Sequence, residues 1–509
     1  LEVPLINAAI ISPLVGALAL VVVPRRMPNL GRMIAVAASF VCLVFCVALF
    51  AKVGAAGEIE QADLRSWIPS LGIYYRVGFD GVSAMMACVV SLICTCAIVV
   101  SWQETGPRRK MFGALALLAE AGLIGLFAAI DAFLFFLFWN LATICACFIA
   151  GMWGGPSRIK TSFKYAAFAA VSGGVMLAAF AYAGGSAESF CFVDWMAQRF
   201  SIKEQAWLFG ALALSFGIFV PIIGLHTWLA DFCEETPASC AMIPGSAMLV
   251  AAAYGFFRIA MPLAPVAVAV SGKTMLVLFT AQIFMGAMLA MSERDMRRIV
   301  AAASISQMGV VMVGLFSLQG QAAAGAMTLA AVQALICAAL YATAGMLKAR
   351  FGTCDVGGIS GLGRAMPAMA LALAVLAAAA AGIPGLAGFS AQFQLLMGAF
   401  QARTGFAVAA LAGLALFAIA MARMTAGAVF GHSKAPADKR PVDVRASEAS
   451  AILPIIAVVV LLGVWPQPVM EKVGGSADAF VKLAKRVEMI IPASPDAGGE
   501  SEGSGATDE

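Results

Sequence analysis

Five ionisable side chains lie in or beside long apolar runs. They are Glu120 within LLAEAGLIGLF, Asp131 at the head of DAFLFFLFWNLATICACFIAGMWGG, Lys164 within SFKYAAF, and His226 and Asp231 in GLHTWLAD. An ionisable group in hydrocarbon is costly, so residues of this kind are default candidates for carrying protons or cations, each group taking up and releasing charge with water between them. Glu120 is the best intramembrane acid and Lys164 the best base. A structural role competes with transport: such residues also anchor helix ends and neighbouring chains. The spacing favours anchoring, because no continuous series of these groups runs on into the C-terminal half. Two punctuated helices suggest where a path would lie. FVPIIGLHTW carries Pro221 and Gly224, and AGIPGLAGFS carries Pro384 and Gly385. Matched breaks of this type are the sequence signal of inverted repeats around a mid-membrane site, and simple kinks are the alternative. The 12 cysteines lie mostly inside apolar runs without metal-ligand spacing and read as small core residues. No Gly-rich phosphate loop or haem motif is present, so no cofactor is expected in this chain.

The elements that hold these residues follow from composition. The 509 residues are 62% hydrophobic and 12% charged, with a mean hydropathy of +0.95. No soluble fold of this size buries that much apolar surface. Runs of about 20 apolar residues recur, the length that crosses hydrocarbon as a helix, while barrel strands would alternate. The expected fold is all-α and polytopic, with about fourteen spans near 3–24, 31–53, 79–101, 111–130, 131–153, 161–183, 206–230, 240–261, 274–292, 298–318, 322–347, 366–400, 405–431 and 449–466. The first run is followed by Arg25 and Arg26 and reads as a span, not as a cleavable signal. The breaks fall in spans seven and twelve. That spacing sets out three N-terminal spans (1–110), a five-helix repeat (111–261), an inverted five-helix repeat (262–431) and a last span with its loop (432–466), followed by an amphipathic segment and a small acidic, disordered tail (467–509). Basic residues such as Arg32, Arg108–Lys110, Arg158, Arg294–Arg298, Lys348, Lys434 and Arg445 gather on alternate loops. The positive-inside rule then puts both termini on the non-cytoplasmic side of a prokaryotic inner membrane. A net charge of +4 spread over loops does not imply nucleic acid.

Several motifs occur in order: RVGFDGVSAMM, FWNLATICACFIAGMWGGPSRIKTSFKYAAF, LHTWLADFCEETPASCAMIPGSAML, RDMRRIVAAASISQMG and GIPGLAGFSAQFQLLMGAF. Together, over about residues 70–430, they resemble the Mrp-antiporter-like membrane subunits of respiratory complex I and membrane-bound hydrogenases, the M-type subunit above all. The resemblance implies fourteen spans and a place in a redox-driven assembly. The implied partners are other antiporter-like and small membrane subunits, lipids, and a peripheral redox arm that would hold any Fe–S clusters, flavin, quinone or NiFe centre. This chain would then be a subunit of a membrane oxidoreductase with no catalytic centre of its own.

The resemblance also exposes a departure. The family's span-five glutamate falls on Asn140, its lysine at the span-seven break on Phe219, and its span-eight lysine on Val250. Its histidines in spans ten and eleven fall on Gln307 and Gln333, and its span-twelve glutamate or lysine falls on Gln392. None of these side chains titrates in the biological range. Losing both partners of an ion pair together avoids a lone buried charge. The leading expectation is an antiporter-like subunit that no longer translocates protons through its centre and serves as a structural or coupling module. An active H⁺- or Na⁺-translocating subunit is the second reading, and the membrane half of an inorganic-carbon uptake system is the third.

Overall fold

A computed structural model describes residues 3–24, 27–431 and 442–486. The chain opens with α1 (Val3–Val22) and α2 (Pro28–Lys52). A hairpin of β1 (Glu60–Ile68) and β2 (Ile73–Phe79) follows, then α3 (Gly81–Glu104), α4 (Arg109–Ala128), α5 (Ala132–Trp153), α6 (Arg158–Ala187) and the short α7 (Phe192–Ala197). Next come α8 (Ile202–Phe219), α9 (Thr227–Glu235), α10 (Ala238–Met242), α11 (Met248–Gly255) and α12 (Met261–Leu263). The chain continues with α13 (Pro265–Ser292), α14 (Met296–Phe316), α15 (Gly320–Phe351), α16 (Leu362–Ala365), α17 (Pro367–Ala380), α18 (Ala387–Val429), α19 (Ala446–Val464) and α20 (Gln467–Ala484). Among the described residues, twelve helices are long and apolar enough to cross a membrane, and the chain is a multi-pass α-helical membrane protein.

Helix starts are written locally. Asp80 and Ser83 form a reciprocal capping box at α3, and Ser201 and Glu204 form another at α8. Asp131 lies at the head of α5, not in the body of a span, and accepts from the Phe133 amide at 2.9 Å. The apolar stretches of Ala238–Leu263, α14 and α15 are fully buried, whereas those of α1, α2, α6 and α19 leave most of their residues outside the core. Small residues make that enclosure possible. A side chain at Gly286 of α13 would run into the Ser306 backbone of α14, and one at Gly325 of α15 would strike the Leu395 backbone of α18. Two buried ion pairs fasten the periphery. Arg258 meets Asp80 at 2.8 Å, and Arg350 meets Glu448 at 2.6 Å, tying α19 to α15.

Several expected boundaries change. The hairpin was not foreseen. It pairs antiparallel from Glu60↔Phe79 to Ile68↔Ile73 and turns at Gly72, whose φ is +68°. Span nine begins near Pro265, nine residues before its expected start at 274. Span eight, expected to end at 261, continues past Arg258 through a π turn, Phe256–Ala260, to Leu263. Residues 387–429 are two helical stretches that meet at Arg403, where the backbone is non-helical (φ −147°, ψ 60°), between the expected span ends at 400 and 405. The amphipathic segment is the helix α20. Arg25, Arg26, Lys434, Lys439, Arg440 and the acidic tail lie outside the described residues.

The close α13–α14 approach yields a prediction. Gly286→Val should lower stability by roughly 1–3 kcal/mol, the usual cost of overpacking, read as a fall in the unfolding midpoint of the detergent-solubilised chain. Gly272→Val, with open space around it, should leave that midpoint unchanged.

Candidate functional site

Helix α8 stops at Phe219 because Pro221 cannot continue it and Gly224 takes a left-handed φ of +90°. A helix end leaves its last carbonyls without intrahelical donors. Two side chains meet that need: the Gln282 amide of α13 donates to Val220 O at 3.1 Å, and the Trp228 indole donates to Ile218 O at 2.9 Å. The second break repeats the solution. α17 ends at Ala380, Gly382 and Gly385 adopt φ of +77° and +91°, and α18 resumes at Ala387. Gln392 Nε2 donates to Ala380 O at 3.2 Å, and Gln307 Nε2 lies 3.5 Å from the same oxygen. Gln392 Nε2 is also 3.5 Å from Gln307 Oε1. Amides therefore cap both breaks, and no charge is needed to do so.

Of the six neutral positions, the structure joins only some. Gln307 and Gln392 meet at the second break. Gln333 is buried on α15, where its amide donates to the Cys337 sulfur at 3.3 Å. Val250 is fully buried in α11, between two π turns. Asn140 donates to its own helix at Phe136 O, 2.8 Å away, and its Oδ1 lies 2.9 Å from where a Cβ on Gly173 of α6 would sit. Phe219 is fully buried in a cluster of rings: its centroid lies 5.2 Å from Trp228, 5.3 Å from Trp139 and 5.9 Å from Tyr165. Trp139 packs on Phe216 at 5.6 Å, and Tyr165 on Phe232 at 4.9 Å. An aromatic plug thus fills the space below the first break.

The remaining ionisable candidates separate into two groups. Glu120 is fully buried between α3 and α4 and accepts from Ser91 Oγ at 2.7 Å, and its Oε2 has no partner among the described residues. Asp131 serves the α5 cap and accepts from the Tyr74 amide at 3.2 Å, which ties it to the hairpin. The other group surrounds α9. Lys164 Nζ meets Asp231 Oδ2 at 2.7 Å and Thr227 O at 2.9 Å. Spans expected at 206–230 and 240–261 leave Asp231, Glu234 and Glu235 in a loop, with His226 near the end of the first. Instead His226 sits at the N-terminal cap of α9 and the three acids ride on that helix. The helix forms because Trp228, Leu229, Phe232 and Cys233 give it a buried face. A cavity of about 210 Å³ is lined by Lys164, His226, Asp231, Glu293 and Arg298. Arg298, from α14, bridges Glu234 at 2.6 Å and Glu293 at 3.0 Å. This charged cluster reaches the second half of the chain, which the sequence did not suggest. Every cation in it is paired, and beyond it stands the aromatic plug. Gln282 escaped the sequence reading altogether: α13 also holds Ser271, Lys273, Thr274 and Thr280, so one more polar residue there carries no signal.

Comparison with known proteins fits this geometry. The family described as NADH:quinone oxidoreductase/Mrp antiporter, TM, matches residues 129–418. The chain is similar to NADH-quinone oxidoreductase subunit 13 of Thermus thermophilus, 32% identical over 480 residues that span 93% of this chain and 98% of that one. It is similar to NADH-quinone oxidoreductase subunit M of Pseudomonas aeruginosa, 32% identical over 417 residues, 80% of this chain and 82% of that one. A chain of the respiratory complex I of Thermus thermophilus with bound NADH superposes with a TM-score of 0.86 at 28% identity, covering 94% of this chain and 99% of that one.

If amides hold the breaks, removing one should loosen them. Gln282→Leu leaves Val220 O without its donor and should cost about 1–3 kcal/mol. Hydrogen exchange should rise in residues 220–226 while α15 stays protected.

Proposed function

The chain belongs to the NADH:quinone oxidoreductase/Mrp antiporter transmembrane family, and from that premise we propose that it is an antiporter-like subunit of a complex-I-like, redox-driven assembly whose own centre conducts no ions. Its role is structural or coupling: it joins other membrane subunits and passes on conformational change. The observation that carries this reading is the burial of Phe219 among Trp139, Tyr165 and Trp228. A cation crossing a low-dielectric interior needs groups that titrate or ligate it, with water between them. Rings at van der Waals spacing supply neither, and Val250, Gln307, Gln333 and Gln392 supply only neutral surfaces farther along.

The finer architecture belongs to the same reading. Counting each interrupted helix as one crossing and dividing α18 at Arg403 gives fourteen spans. Spans four to eight and nine to thirteen then form two inverted five-helix units, with α8/α9 and α17/α18 as their broken members. Basic loops on one side put the termini away from the cytoplasm of a prokaryotic inner membrane. Redox groups, whether Fe–S clusters, flavin, quinone or a NiFe centre, belong to partner subunits. One observation favours a second reading, in which ions still pass: the Lys164–Asp231 pair lines a cavity that also reaches His226.

The two readings part on mutation within the intact assembly. Lys164→Gln and Glu120→Gln should each leave the ion-to-electron stoichiometry unchanged within error. A large loss of pumping with normal assembly would support conduction. Asn140→Glu with Phe219→Lys should create no transport in the reconstituted chain, because the later relay positions stay neutral.

A further inference from the structure

Away from the broken helices, a cavity of about 1040 Å³ opens where α1, α2, α3 and α4 converge. Its mouth carries four cations, Arg32, Arg108, Arg109 and Lys110, and no acid lines it. Arg32 lies flat on Trp102, with its guanidinium carbon 3.8 Å from the ring centroid. Lys110 donates to the Val23 carbonyl, which holds the α3–α4 turn against the end of α1. Arg108 and Arg109 are exposed and have no acidic partner among the described residues. Four like charges gathered this closely repel one another, and no acid among the described residues neutralises them. Deeper in, the wall turns apolar, with Leu20 of α1 and Ile98 of α3. The flanking helices present bare hydrocarbon outward: Leu18 is 67% exposed, Val21 75% and Met33 68%.

We propose that this cavity binds the phosphodiester headgroup of an anionic bilayer phospholipid, with its acyl chains lying along α1 and α2. The chemistry is that of basic pockets between membrane helices, where several cations hold one phosphate at the level of the headgroups. Arg108 and Arg109 supply forked donors suited to phosphate oxygens. Arg32, fixed by its ring contact, loses little freedom on binding. The apolar depth and the lipid-facing walls distinguish this occupant from a free anion in water, which would gain nothing from Leu20 and Ile98. The site is independent of whether the protein's centre conducts ions.

The test uses the full-length chain, stripped of lipid in detergent and titrated by native mass spectrometry with phosphatidylglycerol, phosphatidylcholine and inorganic phosphate in separate arms. Phosphatidylglycerol should bind at least about tenfold tighter than phosphatidylcholine, and an excess of inorganic phosphate should not displace it. Arg108→Gln and Arg109→Gln should each weaken it roughly fivefold, the loss expected for one cation at a lipid surface. Lys273→Gln, outside the cavity, should not. Equal binding of the two lipids would overturn the proposal, as would binding indifferent to both arginines. Displacement by inorganic phosphate would make this a small-anion site instead. An acidic polypeptide that co-purifies, leaves on arginine substitution and resists phosphatidylglycerol would make it a protein interface. If an arginine variant fails to fold, the lipid selectivity of the unaltered chain still decides.

Discussion

The free energy of a charge in hydrocarbon governs this structure. An unpaired carboxylate or ammonium deep in a membrane protein is destabilising by several kcal/mol, and a path for cations exists only where a protein sustains such groups in series. On the proposed reading they are gone from the centre together. Phe219 fills the space beside the first break with rings, and Asn140 turns back on its own helix at Phe136. Where charge persists it is compensated, as in the Arg258–Asp80, Arg350–Glu448 and Lys164–Asp231 pairs, or solitary and neutralisable, as at Glu120.

The breaks survive without the charges. Interrupted helices expose carbonyl dipoles, and burial demands donors for them. Gln282 and Trp228 answer at the first break, and Gln392 with Gln307 at the second. Amides do this at any pH, so the interrupted shape of the fold is uncoupled from proton binding. Close glycine contacts such as Gly286 on Ser306 keep the surrounding helices in register. On the proposed reading, such a subunit retains the shape its neighbours need with its centre shut.

Much of this was legible in the residues. Apolar length gave the membrane class, Pro221 and Pro384 marked both breaks, and the motifs pointed to the family. What escaped depended on distant partners. Gln282 has no local signal, because its role appears only when α13 packs against Val220. The α9 helix runs past the expected end of span seven at 230; Asp231, Glu234 and Glu235 masked the buried face of Trp228, Leu229, Phe232 and Cys233. The hairpin's seat also lies far along the chain: Ile130 N donates to Arg76 O, and the Tyr74 amide donates to Asp131. The Arg298 bridge to Glu234 joins residues far apart in sequence, so the charged cluster it completes is invisible to any window along the chain.

The central claim is that this interior offers cations no route. The direct measurement is proton flux through the purified chain in sealed vesicles, driven by a potassium diffusion potential and followed with an entrapped pH-sensitive dye. The account predicts a rate indistinguishable from protein-free vesicles on either side of neutral pH. A flux well above that background, saturating with voltage and abolished by Lys164→Gln or Glu120→Gln, would contradict it.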